Sequence, residues 1–158
     1  MRVGLGYDSH RLSPGRRLIV GGIEIPFELG LDGHSDSDVL AHALIDALLG
    51  AAGLGDIGHH FPDTDERWRD ADSIALLEQV VAMLRERGRR VVNVDCTVIM
   101  EAPKLAPHRD AIRARLATAL GVAEQDVNVK ASTGEGMGFV GRGEGVAALA
   151  IAGIEDAA

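Results

Sequence analysis

The stretch HSDSDVLAHALIDALLGAAG, residues 34–53, decides the fold class. Val39, Leu40, Ala43, Leu44, Ala47 and Leu48 recur three and four apart, so the spacing predicts a helix over 36–52 with one buried stripe. Asp38, His42 and Asp46 follow at intervals of four and share a single face of that helix. A buried helix needs a surface to pack on, and the flanking segments supply it as strands. Upstream, Val3, Leu5 and Tyr7 alternate with Arg2, Gly4, Gly6 and Asp8, which predicts a short strand with Asp8 at its end. Two apolar runs around Gly21-Gly22, within 18–25, predict a small hairpin.

Downstream, Ile74, Leu77, Val81 and Leu84 mark a second helix, with Asp72 or Ser73 as its N-cap and Gly88 as its terminator. A strand rich in β-branched residues covers 91–100. A third helix runs from Pro107 through Ile112, Leu116 and Leu120 to Gly121, and a further strand covers 126–132. The tail over 143–154 is ambiguous, because its alanines favour helix while the alternation of Val146, Ala148, Ala150 and Ala152 suits a strand. The mixed order of strands and helices implies one α+β unit, and 158 residues suffice for one domain and not for two.

Composition narrows the function classes. Aromatics make up only 3% of the chain, so the core is built from Ala, Val, Leu and Ile. A net charge of −8 argues against nonspecific nucleic-acid binding, which rests on neutralising phosphates with Lys and Arg. The lone cysteine, Cys96, excludes an internal disulfide and reads as a buried strand thiol. No apolar run has the length of a membrane span and the first residues lack the apolar core of a secretory signal, so the expected location is the cytoplasm.

Asp8 and His10 lie two apart on a strand, and His42 projects from a helix that could face them. One carboxylate and two imidazoles form the ligand set of a zinc site with an open fourth position. Asp46, one turn beyond His42, is a candidate for orienting an imidazole. Asp38 is left between a solvated and a capping role. Among the cations, 16 Lys and Arg in all, only Lys104 and Lys130 are lysines, and both fall in segments with a functional look. Six glycines between Gly134 and Gly145 let backbone amides approach an anion closely, and Glu135 in that loop could hold magnesium against phosphates. Gly4-Leu5-Gly6 is rejected as a dinucleotide motif, since the third glycine and the helix are missing.

Several ordered motifs over 6–145 resemble the cyclodiphosphate synthases of the non-mevalonate isoprenoid pathway. They are Gly6-Tyr7-Asp8-Ser9-His10, His34-Ser35-Asp36-Ser37-Asp38, Leu48-Leu49-Gly50-Ala51-Ala52, Gly55-Asp56-Ile57-Gly58, Phe61-Pro62-Asp63-Thr64-Asp65, Ala102-Pro103-Lys104 and Phe139-Val140-Gly141-Arg142-Gly143-Glu144-Gly145. The resemblance implies a two-layer α+β sandwich with a mixed, mainly four-stranded sheet and helices on one face. It further implies a homotrimer with the sheets around the threefold axis, and it tips 143–154 towards strand.

By the same resemblance, zinc sits on Asp8, His10 and His42, while Glu135 holds magnesium or manganese with the substrate phosphates. His34 and Thr133 position those phosphates. Ser35, Asp56, Ile57, Gly58, Asp63 and Asp65 belong to the methylerythritol phosphate end, and Ser9, Phe61, Pro62 and Thr64 are further substrate contacts. Met100, Ala102, Pro103, Lys104, Leu105, Ala106, Ala131 and Ser132 belong to the cytidine end of a cytidine diphosphate-linked substrate, and Gly134 is a further substrate contact. Phe139, Arg142 and Glu144 line a central channel that admits an isoprenoid diphosphate. The chain departs from the family pattern at Ser37, where glycine is usual, at Ser132, where threonine is usual, and in the pair Gly134 and Gly136; none removes a ligand. The same ligands would also serve a metal-dependent phosphohydrolase, or a noncatalytic trimeric binder of nucleotides or isoprenoids.

Overall fold

In the computed structural model, which describes residues 1–157, the central helix is α1, Val39–Ala52. Asp38 caps it by accepting from the amides of Leu40 and Ala41. The same carboxylate accepts from the amides of Gly21 and Gly22 at 2.9 and 2.6 Å. It therefore ties the helix start to the turn between β2, Leu18–Val20, and β3, Ile23–Ile25. Of the two roles left open for Asp38, capping is the one found, and the residue is fully buried. Burial pushes its carboxyl up to about 6, against the pull of those backbone donors. Gly53 ends the helix in the left-handed region, at φ 72°, with its amide bonded back to the last turn.

The main sheet is built from β1, Arg2–Pro14; β4, Leu29–Leu31; β5, Arg89–Ile99; β6, Val127–Ser132; and β7, Gly145–Asp156. Their order is β4-β1-β7-β5-β6, all antiparallel except β5 with β6. That one parallel pair is joined by a crossover through α4, Arg109–Leu120. The sheet is mixed, as expected, but has five strands rather than four. Leu29–Leu31 pairs with Leu12–Pro14 along the edge, and a three-residue run centred on Gly30 is too short to alternate visibly. Helix α3, Ser73–Glu86, is capped by Asp72 and packs on α1 and β5, while α4 packs on β6. The long helices thus cover one face of the sheet, over a core that includes Leu40, Leu44, Leu48, Leu77, Ile112 and Leu116.

The N-terminal strand differs from expectation in two ways. It runs on to Pro14, so Asp8 and His10 lie mid-strand rather than at an end. Its outward residues are the apolar ones: Val3, Leu5 and Tyr7 are 63%, 66% and 51% exposed, beside Leu149 and Ile151 of β7. Gly4 and Gly6 face α1 instead, because a Cβ on either would lie 1.9 or 1.8 Å from the carbonyl oxygen of Ala47 or Ala43. The paired glycines therefore serve close helix-to-strand contact, and they bring α1 near enough for His42 to meet the strand. The same closeness explains β7. Ala148, Ala150 and Ala152 are buried on a central strand that α1 also covers, so their helix propensity yields to pairing on both edges.

Candidate metal centre and adjoining cavities

Alternation along β1 turns Gly4, Gly6, Asp8 and His10 to the helix side, and α1 presents His42 to the same point. Asp8 Oδ2 lies 2.8 Å from His10 Nε2 and 3.1 Å from His42 Nδ1. The two nitrogens are 3.2 Å apart. Bonds of about 2.0–2.1 Å to a tetrahedral ion would set ligand separations of about 3.4 Å, so a small outward shift accommodates a zinc-type ion.

The outer partners fix which ring nitrogens carry protons. His10 Nδ1 faces the carbonyl oxygen of Asp32 at 2.8 Å, and a carbonyl only accepts, so Nδ1 is the donor and Nε2 keeps its lone pair. On the other ring, His42 Nε2 sits 2.8 Å from Ser73 Oγ and 3.2 Å from Ser35 Oγ. The Ser73 hydroxyl in turn donates to Asp36, so His42 Nε2 is the donor and Nδ1 the free lone pair. Three lone-pair atoms then converge, an arrangement that a cation must hold together. Burial opposes the charge on Asp8, but the His10 and His42 imidazoles beside it outweigh that cost and hold the carboxyl down to about 2. Burial likewise works to lower His10, while Asp8 raises it above the usual 6.5.

The triad opens into a cavity of about 350 Å³ that is also lined by Gly33, His34, Ser35, Ile57, Gly58, Phe61, Asp63, Trp68 and Leu76. Ile57 and Gly58 belong to the short helix α2, Ile57–His60. Its first amide is held by Asp46 Oδ1 at 2.8 Å, so Asp46 positions the cavity wall and does not orient His42. Asp56 and Asp65 cap short helical turns on the rim, and the carbonyl of Asp65 lies 3.1 Å from His34 Nε2. Pro62 and Thr64 lie in the turn between those two caps. Ser9 is turned by strand alternation to the opposite, exposed face.

A second cavity, of about 380 Å³, collects Met100, Pro103, Lys104, Leu105, Ala106, Ala131, Ser132, Thr133 and Glu135 at the C-terminal ends of β5 and β6. It shares no lining residue with the first. Ala102 and Gly134 lie in its connecting turns, where the Gly134 amide donates to Glu101. Lys130 is elsewhere, paired with Asp95 at 2.6 Å on the uncovered sheet face. Phe139 is half-exposed on α5, Gly138–Gly141, a short helix within the glycine-rich stretch. Arg142 pairs with Glu144 at 2.8 Å. Cys96 is buried in β5 and its thiol is pushed up to about 12 by burial, which fits an inert core residue.

A family model described as the YgbB family matches residues 1–155. The chain belongs to the YgbB family. Its relatives include the 2-C-methyl-D-erythritol 2,4-cyclodiphosphate synthase of Desulfosudis oleivorans, 60% identical over 152 residues that cover 96% of this chain and 90% of that one. Among solved structures, the bifunctional IspDF of Campylobacter jejuni superposes with a TM-score of 0.95 at 43% identity, covering 98% of this chain and 42% of that one. A CDP-bound 2-C-methyl-D-erythritol 2,4-cyclodiphosphate synthase superposes with a TM-score of 0.90 at 38% identity, covering 98% and 100%.

Within this YgbB chain, sequence reasoning missed several contributors. Ser73 and Asp36 complete the support behind His42, yet a serine at the start of a helix signals only capping. Trp68 and Leu76 line the first cavity, and the Trp68 indole N–H is buried without a partner among the described residues. Val98, Glu101 and Arg109 line the second cavity. No helix among the described residues is long and apolar enough to cross a membrane.

Proposed function

We propose that this chain converts 4-diphosphocytidyl-2-C-methyl-D-erythritol 2-phosphate into 2-C-methyl-D-erythritol 2,4-cyclodiphosphate and CMP. The observation that carries this reading is the convergence of three lone-pair atoms, from Asp8, His10 and His42, at the mouth of a cavity, in a chain of this family. The 2-phosphate of the substrate attacks its own β-phosphorus; the bond from that phosphorus to the bridging oxygen breaks, and CMP departs with the oxygen. The nucleophile is already an anion near neutral pH, so the chain needs no general base and no activated Ser or Cys.

The remaining task is to hold a folded polyanion in line. Asp8, His10 and His42 would hold a zinc ion, and Glu135 a magnesium or manganese ion between the phosphates. When bound, these ions neutralise phosphate charge and stabilise the leaving oxygen. His34 and Thr133 position the phosphates. Ser35, Ile57, Gly58, Phe61 and Asp63 receive the methylerythritol end, with Asp56, Pro62, Thr64 and Asp65 shaping its rim. Met100 to Ala106 and Ala131 to Gly134 receive the cytidine end, with Lys104 supplying charge. Positioning of this kind is worth about 7–11 kcal/mol in well-oriented intramolecular reactions.

The separateness of the two cavities supports a site completed between subunits, since Thr133 and Glu135 line one and the metal triad the other. The uncovered apolar sheet face with Val3, Leu5, Tyr7, Leu149 and Ile151 supports a homotrimer whose sheets surround the axis. Phe139 and Arg142 would line its channel, open to an isoprenoid diphosphate. The expected location is the cytoplasm.

Phosphorus NMR of the purified protein with the cytidyl substrate, magnesium and zinc tests the reading. A cyclic diphosphate with one equivalent of CMP is expected. A linear phosphate product would establish a hydrolase instead, and unchanged substrate with metal-loaded protein would establish a binder.

A further inference from the structure

The loop 31–37 touches both imidazoles of the triad from behind. The Asp32 carbonyl accepts from His10 Nδ1, and Gly33 lies so close that a Cβ there would come within 3.1 Å of the His10 ring. Ser35 Oγ reaches His42 Nε2 at 3.2 Å, and Asp36 reaches the same nitrogen through Ser73. The aim of both ligands therefore depends on the shape of this loop.

One side chain braces it. Arg16 Nε donates to the carbonyl of Leu31 at 3.1 Å, and Nη2 to those of Gly33 at 3.2 Å and Ser35 at 2.8 Å. Nη2 also lies 3.4 Å from the hydroxyl of Ser37. Three alternate carbonyls thus converge on one planar guanidinium, whose fork sets their spacing in a way that a lysine, a point donor, does not. Its nearest carboxylate is Asp70, 4.0 Å away, so its hydrogen bonds go to the loop. Ser37 closes the loop in the left-handed region, at φ 57°, where a side chain is strained. Its buried hydroxyl is held between Arg16 and the Ser35 carbonyl, 3.4 Å from each.

We propose that Arg16 is a positioning residue for the metal centre: by cross-bracing 31–37 it keeps His10 Nε2 and His42 Nδ1 aimed at one point. The inference rests on the reading of Asp8, His10 and His42 as metal ligands. Arg16 borders an open cavity of about 290 Å³, lined also by Gly15, Arg17, Ile19, Asp36 and Asp70, so a small cation can enter when its side chain is removed.

The test is zinc affinity of metal-free protein, by competition with a chromophoric chelator, for wild type, Arg16→Ala and Arg16→Lys. Arg16→Ala is expected to weaken zinc about tenfold, the lower end for groups that orient ligands from outside. Millimolar guanidinium is expected to restore most of that loss, while Arg16→Lys remains several-fold weak although folded by circular dichroism. With cobalt in place of zinc, the visible spectrum of Arg16→Ala is expected to shift and to return with guanidinium. Affinity of both variants within twofold of wild type would overturn the brace, as would a loss that guanidinium does not restore. Failure of the wild type itself to bind zinc would instead remove the metal reading, and the brace with it.

Discussion

Replacing Ser73 by alanine isolates the support behind one metal ligand. The hydroxyl lies 2.8 Å from His42 Nε2 and donates to Asp36, linking an imidazole to a carboxylate through one buried oxygen. Its loss leaves His42 Nε2 with Ser35 Oγ alone, at 3.2 Å. Removing such an outer partner weakens metal affinity by about 10–100-fold, and the surviving Ser35 contact places Ser73→Ala near tenfold, or about 1.4 kcal/mol. The fold should survive. Asp36 keeps the amides of Asp38 and Ser73, at 3.1 and 3.0 Å, so the stability loss is about 1 kcal/mol. Two assays separate the effects. Chelator competition on metal-free protein reads zinc affinity, and urea unfolding followed by Trp68, the one tryptophan of the chain, reads stability. Ser35→Ala should cost less than Ser73→Ala, and the double variant more than their sum, because each hydroxyl covers for the other. Zinc affinity of Ser73→Ala within twofold of wild type would refute the tautomer assignment for His42.

His42→Ala removes a ligand outright and is expected to abolish both zinc binding and turnover while leaving the circular dichroism spectrum intact; full activity would exclude His42 as a ligand. Gly6→Ala drives a Cβ into the backbone of α1 at Ala43 and should cost about 3 kcal/mol, read as a lowered urea midpoint. Metal-free stability carries a pH signature of the triad. His10 is raised in the folded state, so its contribution is full below pH 6.5 and fades as pH rises through the raised value; Asp8, held at about 2, contributes above 3.8 and fades as pH falls towards 2. The stability difference between wild type and His10→Gln should therefore be largest between about pH 4 and 6.5. Zinc affinity should rise over the pH range in which His10 loses its competing proton, and a flat profile would contradict the raised proton affinity of His10.

Much of this was legible in the chain. The helix in the 34–53 stretch is legible because its apolar period is local, and the Asp72 cap because it acts within a few residues of its target, whereas Asp38 stays open between two roles until its partners are in place. Asp8, His10 and His42 were legible as candidates because imidazole and carboxylate are the chemistry a metal needs, and strand and helix periods fix which face each takes. What required tertiary structure was every relation between distant segments. The outward placement of Val3, Leu5 and Tyr7 follows from α1 seating on Gly4 and Gly6, a contact that no local pattern announces. Asp46 shares the His42 face, which makes it a candidate partner of that ring, and it instead holds Ile57, because a helical face tells which way a side chain points and not what waits there. The hydrogen-bonded support from Ser35, Ser73, Asp36 and Arg16 joins residues separated by up to 57 positions, and serines and arginines in polar loops carry no signal until the chain folds. The sequence determined which groups could bind a metal and which segments would carry them; close packing of α1 on β1 decided that three of their lone pairs meet.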